Sequence, residues 1–225
     1  MSSPYYCDRS DFCYEFSGGK ETEFKQTYPD GPESRILLES EHFLAVSDVS
    51  PMLAGHCLIV PRQHAYSLAE IMISRPDELS TFLELFLERY GRAFGPYSLF
   101  EHGSTRSTNP AACVTHAHLH IVPLEPDLLS TQMTSDGMTF TALKNVQDLA
   151  PYASEELPYY LIGNLESGLH IALDDSQRPR QYFRLLLGRI LDIPADECDW
   201  ALVIRRDLLL ETLSVFGLKD GERVD

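Results

Sequence analysis

His116-Ala117-His118-Leu119-His120-Ile121-Val122 sets three imidazoles in strict alternation with apolar side chains. Successive side chains of a β-strand point to opposite faces. The stretch therefore predicts a strand over 116–122 with the histidines on one face and Ala117, Leu119 and Ile121 turned to a core. On a helix the same three would fan across roughly 200° and serve no single site. Imidazole changes charge near neutral pH. As a neutral nitrogen nucleophile it can attack phosphorus and leave again when water arrives, which splits one hard displacement into two easier ones. Flanking imidazoles can hold hydrogen bonds to the phosphoryl oxygens. Two plainer readings stand beside this one: a surface strand with histidines by chance, and a His-only metal site, since His-x-His on a strand is a ligand geometry.

Upstream, residues 35–39 and 42–47 read as two strands around an acidic turn, followed by a loop over 48–55 holding Pro51 and Gly55. His56–Pro61 reads as a short buried strand. Residues 66–94 change to helical spacing, with Pro76, Asp77 and Glu78 suited to a helix start and Gly91 and Gly95 to its end. A strand over 97–101 and a polar loop over 102–112 lead into the histidine segment. Downstream the texture shifts: short helices at 140–149, a hairpin of 159–162 with 170–173, a helix over 181–191, a strand over 200–204 and a last helix over 208–215.

The chain has 225 residues, 44% hydrophobic and 23% charged, which suffices for a real core and excludes global disorder. The net charge of −16 is shared evenly, with nine basic and seventeen acidic residues in 1–125 and the same in 126–225. No basic stripe is available for a phosphate backbone, so a nucleic-acid partner is not expected. No apolar run approaches a membrane span, so no membrane partner is expected either. The start carries no basic and apolar leader pattern. The odd, scattered set Cys7, Cys13, Cys57, Cys113 and Cys198 argues against a disulfide framework. Together these point to a reducing, cytoplasmic setting.

The segment 116–122 resembles the signature of the histidine triad (HIT) superfamily, His-φ-His-φ-His-φ-φ with φ apolar, at all seven positions. Leu44-Ala45-Val46-Ser47-Asp48-Val49-Ser50-Pro51 and Gly55-His56-Cys57-Leu58-Ile59-Val60-Pro61-Arg62-Gln63-His64 resemble the upstream half of the same family. The resemblance covers about residues 35–125. It implies an α+β fold, a HIT-like antiparallel sheet with a long crossing helix, to which an α/β extension is added at the C-terminus. The segments are then 1–34 (N-terminal), 35–125 (catalytic) and 126–225 (an extension of unassigned role). In 126–225, Arg180-Gln181-Tyr182-Phe183-Arg184 resembles a Ser-Gln-Tyr-Phe-Arg motif of longer bacterial members.

The resemblance implies attack on the α-phosphate of a nucleotide by His118, with a covalent nucleotidyl-imidazole resolved by water or another phosphate. His116 and His120 would orient the phosphate, and His64 matches a fourth histidine near the site. Asp48 matches the carboxylate that takes both ribose hydroxyls, for which two side-by-side acceptors suit. A turn or capping role is the alternative for Asp48. Phe43, Leu44, Val46 and Val49 are candidates to wall the base, or simply core. Members commonly have a Gly-rich stretch with a polar phosphate contact before the triad. Here Ala111-Ala112-Cys113-Val114-Thr115 stands there, with Cys113 at the donor position and Ser104 and Asn109 as substitutes from the loop. His102 is a further candidate for substrate contact. No cofactor is required for such chemistry. A structural zinc on Cys7, Cys13, His64 and His116 is admissible, with Ser10 where members place the first cysteine.

The implied function is a nucleotidyl hydrolase acting on dinucleoside polyphosphates or nucleoside phosphoramidates. His120, where related transferases carry Gln, favours hydrolysis. The alternative is a nucleotidyltransferase or nucleotide phosphorylase whose extension offers Arg180, Arg184, Arg205 and Arg206 to an acceptor, although these arginines read more readily as solvated partners of the abundant carboxylates. A non-enzymatic nucleotide-binding module comes third, since the nucleophile is present. Family members are often homodimers, and the extension could cover that interface.

Overall fold

A computed structural model describes residues 10–107, 116–175 and 178–217. Its strands are β1 (Ile36–Glu39), β2 (Phe43–Ser47), β3 (Cys57–Pro61), β4 (Ser98–Gly103), β5 (Leu119–Val122), β6 (Thr141–Leu143), β7 (Tyr159–Asn164) and β8 (Gly168–Leu173). All pair antiparallel in one sheet ordered β1-β2-β3-β5-β4-β7-β8-β6. The fold is α+β. The C-terminal strands continue the sheet, because β7 pairs directly with β4 from Leu99↔Gly163 to Gly103↔Tyr159.

The helices are α1 (Asp11–Phe16), α2 (Glu23–Thr27), α3 (Leu68–Ser74), α4 (Pro76–Phe94), α5 (Pro126–Ser135), α6 (Ala150–Ser154), α7 (Tyr182–Leu191) and α8 (Arg206–Val215). Leu79, Phe82, Leu83, Phe86, Leu87 and Tyr90 form the buried stripe of α4. Each such side chain contributes roughly 1.5–3 kcal/mol on burial. The helix expected over 66–94 is two helices. Pro76 has no N–H to carry the ladder onward, so Arg75 closes α3 and opens α4. Short α1 and α2, absent from the sequence reading, start where the Ser10 and Thr22 side chains accept from Phe12 N–H and Lys25 N–H.

One face of the sheet carries Phe43, Ala45, Cys57, Ile59, Leu99, Leu119, Ile121, Leu161 and Ile171, packed on α3, α4 and α8. The opposite face is covered at one end by α5 and α7, which bury Phe100, Val122, Tyr160 and Ile162. At the other end Phe12 of α1 covers Leu44, Val46, Leu58 and Val60. The functional side chains lie on this second face, between α1 and α7.

The hairpin expected near 159–173 is β7–β8, and the expected late helices are α7 and α8. Two expectations fail. Residues 200–204 form no strand: the segment turns, leaves Leu202 and Ile204 exposed, and is held by Ser50 Oγ donating to Val203 O. Residues 140–149 hold the edge strand β6 and a 3-10 turn over Val146–Leu149. No helix among the described residues is long and apolar enough to cross a membrane.

Candidate active site

The strand expected over 116–122 pairs only from Leu119, while Ala117 N–H bonds to Ala65 O before it. The alternation nevertheless holds. Ala117, Leu119 and Ile121 enter the α4 core, and His118 and His120 line a cavity of about 110 Å³ on the other face. Asp48, Val49 and Leu58 line it from the β2–β3 side, and Phe12, Phe24 and Arg35 from the N-terminal side. His102 lines it from β4, and Gln181, Tyr182, Phe183, Arg184 and Trp200 from the C-terminal segment.

Hydrogen bonds to groups of known polarity fix the imidazole tautomers. His118 Nδ1 lies 2.7 Å from His116 O, a carbonyl that only accepts. Nδ1 therefore carries the proton, and Nε2 holds the free lone pair. Burial pushes the His118 pKa down, against that hydrogen bond and the charge of Asp48, so the ring is held neutral. Its ring packs edge-on to His120 at 4.8 Å and to Phe12 at 5.8 Å.

His56 completes this group and was not assigned from sequence. Met52 N–H donates to its Nδ1 (3.3 Å), so Nε2–H is the proton that faces His120 Nδ1 at 2.9 Å. His120 must then carry its own proton on Nε2. Burial lowers the pKa of His56 to about 4 and that of His120 well below the usual value, His120 being further depressed by His118, His56 and Arg184. His120 also stacks on Phe100 at 4.5 Å.

Asp48 is buried. Its Oδ1 accepts from Ser50 N–H (2.8 Å) and Arg184 Nη1 (3.3 Å). Burial alone would raise its pKa, but His56, Arg184 and the Ser50 N–H outweigh it and hold the carboxyl below its ordinary value. Arg184 also donates from Nε to Cys198 O and from Nη2 to Ser50 O, both at 2.7 Å. It is therefore no solvated helix-end arginine, but a buried tie between α7 and the loop after β2. Arg35, also buried, binds both Glu15 carboxylate oxygens at 2.8 Å under the rings of Phe12, Phe16 and Phe24, and so fastens α1 over the sheet.

Several sequence candidates lie elsewhere. Phe43 does not wall the cavity. It points to the α4 side and packs on Phe82 at 5.7 Å, because period 2 puts it opposite Leu44. Leu44 and Val46 share the cavity's face but are sealed under Phe12. Ser104 opens onto a second depression, beside His64 and Glu70. His64 does not line the cavity; the histidine that backs the pair of His118 and His120 is His56, buried behind His120. The chain turns away after β3 and sets His64 against Cys13 and His116 instead. His116 does not line the cavity either. Asn109, Cys113 and Cys7 lie outside the described residues.

Cys13 Sγ lies 3.5 Å from His64 Nδ1 and 3.3 Å from His116 Nδ1, and the three donor atoms fall within 4.8 Å of one another. His116 Nε2 donates to Pro61 O at 2.7 Å, which leaves the Nδ1 lone pair directed at this cluster. A backbone carbonyl fixing the tautomer of a ligating histidine is a usual support of metal sites. One thiol and two imidazoles suit zinc.

The family model of the HIT domain matches residues 31–127. An uncharacterized HIT-like protein of Methanocaldococcus jannaschii is 29% identical over 96 residues, covering 40% of this chain and 68% of that protein. The adenosine 5′-monophosphoramidases of Schizosaccharomyces pombe and Saccharomyces cerevisiae are each 28% identical over 89 residues. These matches cover 39% of this chain, and 62% and 52% of the two proteins. Among solved structures, a hypothetical histidine triad nucleotide-binding protein from Sulfolobus tokodaii aligns at 23% identity and a TM-score of 0.37, over 51% of this chain and 68% of that one. Residues 31–127 are thus similar to the HIT domain.

Proposed function

We propose that the protein is a nucleotidyl hydrolase that cleaves a nucleoside 5′-phosphoramidate or a dinucleoside polyphosphate at the α-phosphorus. The observation that carries this reading is the His118 tautomer: a neutral ring, proton on Nδ1, with its Nε2 lone pair free in a side chain that lines the cavity. Nε2 attacks phosphorus and the bond to the leaving group breaks. Water then attacks the nucleotidyl-imidazole, giving the nucleoside monophosphate and free His118. His120 Nε2–H, set by the His56 contact, donates to a phosphoryl oxygen whose charge shifts in the transition state. Asp48 retains acceptor capacity on Oδ2 for ribose hydroxyls. The two yeast relatives named as adenosine 5′-monophosphoramidases favour an adenosine phosphoramidate as the first substrate to try.

Of the four arginines on which the acceptor-using alternative draws, Arg180 is exposed and the other three are hydrogen-bonded within the chain. Arg184 is committed to Asp48, Ser50 and Cys198, Arg205 donates to Glu197 O, and Arg206 to Gly31 O. Cys13, His64 and His116 would hold a structural zinc that fixes α1, and with it Phe12, against the triad. The test of the activity is a panel of nucleoside phosphoramidates and dinucleoside polyphosphates offered to the parent and to His118→Ala. The parent releases nucleoside monophosphate, and the variant binds nucleotide without turnover. A variant that turns over like the parent overturns the reading.

A further inference from the structure

We infer that His102, oriented by Asp174, is the proton donor to the leaving group and, in the second half-reaction, the acceptor of the proton from water. This deepens the nucleotidyl-hydrolase reading and rests on it.

The dyad is assembled across three strands. His102 on β4 pairs in register with Tyr160 on β7, whose own partner on β8 is Ala172, two residues before Asp174. His102 Nε2 lies 2.8 Å from Asp174 Oδ2, with the two side chains 19% and 7% exposed. The imidazole lies flat on the Tyr160 ring, centroids 4.4 Å apart at 14°. The Tyr160 hydroxyl hydrogen-bonds the same carboxylate, and Asp174 N–H is tied to Pro158 O at 2.9 Å. Ring plane and tautomer are thus both constrained: Nε2–H faces Asp174, and Nδ1 is the nitrogen left to meet a ligand. A carboxylate that fixes one imidazole nitrogen so that the other can exchange a proton is the arrangement of an acid–base dyad.

Sheet order gives the dyad its task. Asp48 and Arg184 stand at the β2–β3 end of the cavity, His120 on β5 and His118 just before it in the middle, and His102 on β4 at the far side. A nucleoside held at Asp48 with its phosphorus at His118 directs the departing group toward β4. Asp174 belongs to the C-terminal segment, beyond the residues matched to the HIT domain, so the extension completes this part of the site.

The bond from His118 Nε2 to phosphorus forms as the bond from phosphorus to the leaving amine or phosphate breaks. The leaving atom takes the electron pair and receives the Nδ1 proton of His102, which enters this step doubly protonated and keeps its Nε2–H on Asp174. His102, now neutral, accepts a proton from water as that oxygen bonds to phosphorus and the bond to His118 breaks. Asp174 stays anionic throughout.

The experiment compares leaving groups in the first turnover. Two substrates are used, adenosine 5′-phosphoramidate, whose amine must be protonated, and the p-nitrophenyl ester of AMP, whose phenolate departs unaided. For His102→Gln, first-turnover release of amine falls by about 10²–10³, within the range of general acid catalysis. The burst of p-nitrophenolate falls less than about tenfold. Asp174→Asn, which keeps a neutral partner for the ring, shows the same selective loss to a smaller degree. Equal losses with both substrates in both variants, or no loss in either, overturn the proposal while leaving the role of His118 intact. A parent inert toward both substrates overturns it together with the nucleotidyl-hydrolase reading.

Discussion

Replacing Arg184 by Met tests whether α7 and the loop after β2 are one structural unit. Arg184 and Asp48 are both buried, with side chains 6% and 7% exposed. The substitution removes the cation from Asp48 and the donors from the carbonyls of Cys198 and Ser50. Breaking a buried pair from one side costs about 3–5 kcal/mol, because the remaining charge is left uncompensated. Methionine recovers part of this by filling the space of the aliphatic stem. Protonation of Asp48 recovers more, since Arg184 is among the groups that hold its pKa down. A net loss of about 2–4 kcal/mol remains, and at about 2–4 °C per kcal/mol for a chain of this size the melting temperature falls by roughly 10 °C. Thermal and urea denaturation of Arg184→Met, Asp48→Asn and the double variant measure this. Once the carboxylate is gone, the arginine has less to compensate, so the double variant loses less than the sum of the single losses, by about 1–3 kcal/mol. A single variant melting within about 1 °C of the parent, or strictly additive losses, refutes the argument.

Four further outcomes follow from the same geometry. His56 is buried with its pKa lowered to about 4, so stability present above the unfolded value near 6.5 is lost as pH falls toward 4, by about 3 kcal/mol. Buried Glu101 accepts from Leu68 N–H and the Tyr159 hydroxyl, and its pKa is raised to about 7. It acts in the opposite sense, with stability lost as pH rises from about 4.5 through 7, and Glu101→Gln flattens that limb in urea titrations. Gly103→Ala places a methyl carbon 2.2 Å from the Tyr159 ring, which Glu101 holds in place; a loss of about 3 kcal/mol is expected, and a neutral melt would show that Tyr159 yields. Metal analysis of the purified protein is expected to find one zinc per chain, lost in Cys13→Ala.

What was legible in the sequence was local. Alternation at 116–122 assigns the two faces because the period of a strand is two residues, and the same rule, applied to Phe43, turns that ring away from the site. The helix starts at Ser10 and Thr22 left capping signals that a longer apolar stripe would have made decisive. The apolar run over 200–204 has a strand's composition, but no neighbouring strand takes up its backbone, and composition cannot supply one. The distant pairings were not legible. Asp48 meets Arg184, 136 positions later, and His102 meets Asp174, 72 positions later, because β7 joins β4 and brings the C-terminal segment over the cavity. His56 and His64 both follow the loop after β2. Only the geometry separates the histidine that touches His120 from the one that touches Cys13.

The most direct test of the account is the mass of the intact protein during turnover of adenosine 5′-phosphoramidate, quenched without acid so that a phosphorus–imidazole bond survives. The account predicts a transient species heavier by one adenylyl group, located on the peptide containing His118 and missing in His118→Ala. Turnover without such a species, or an adduct on any other residue, contradicts it.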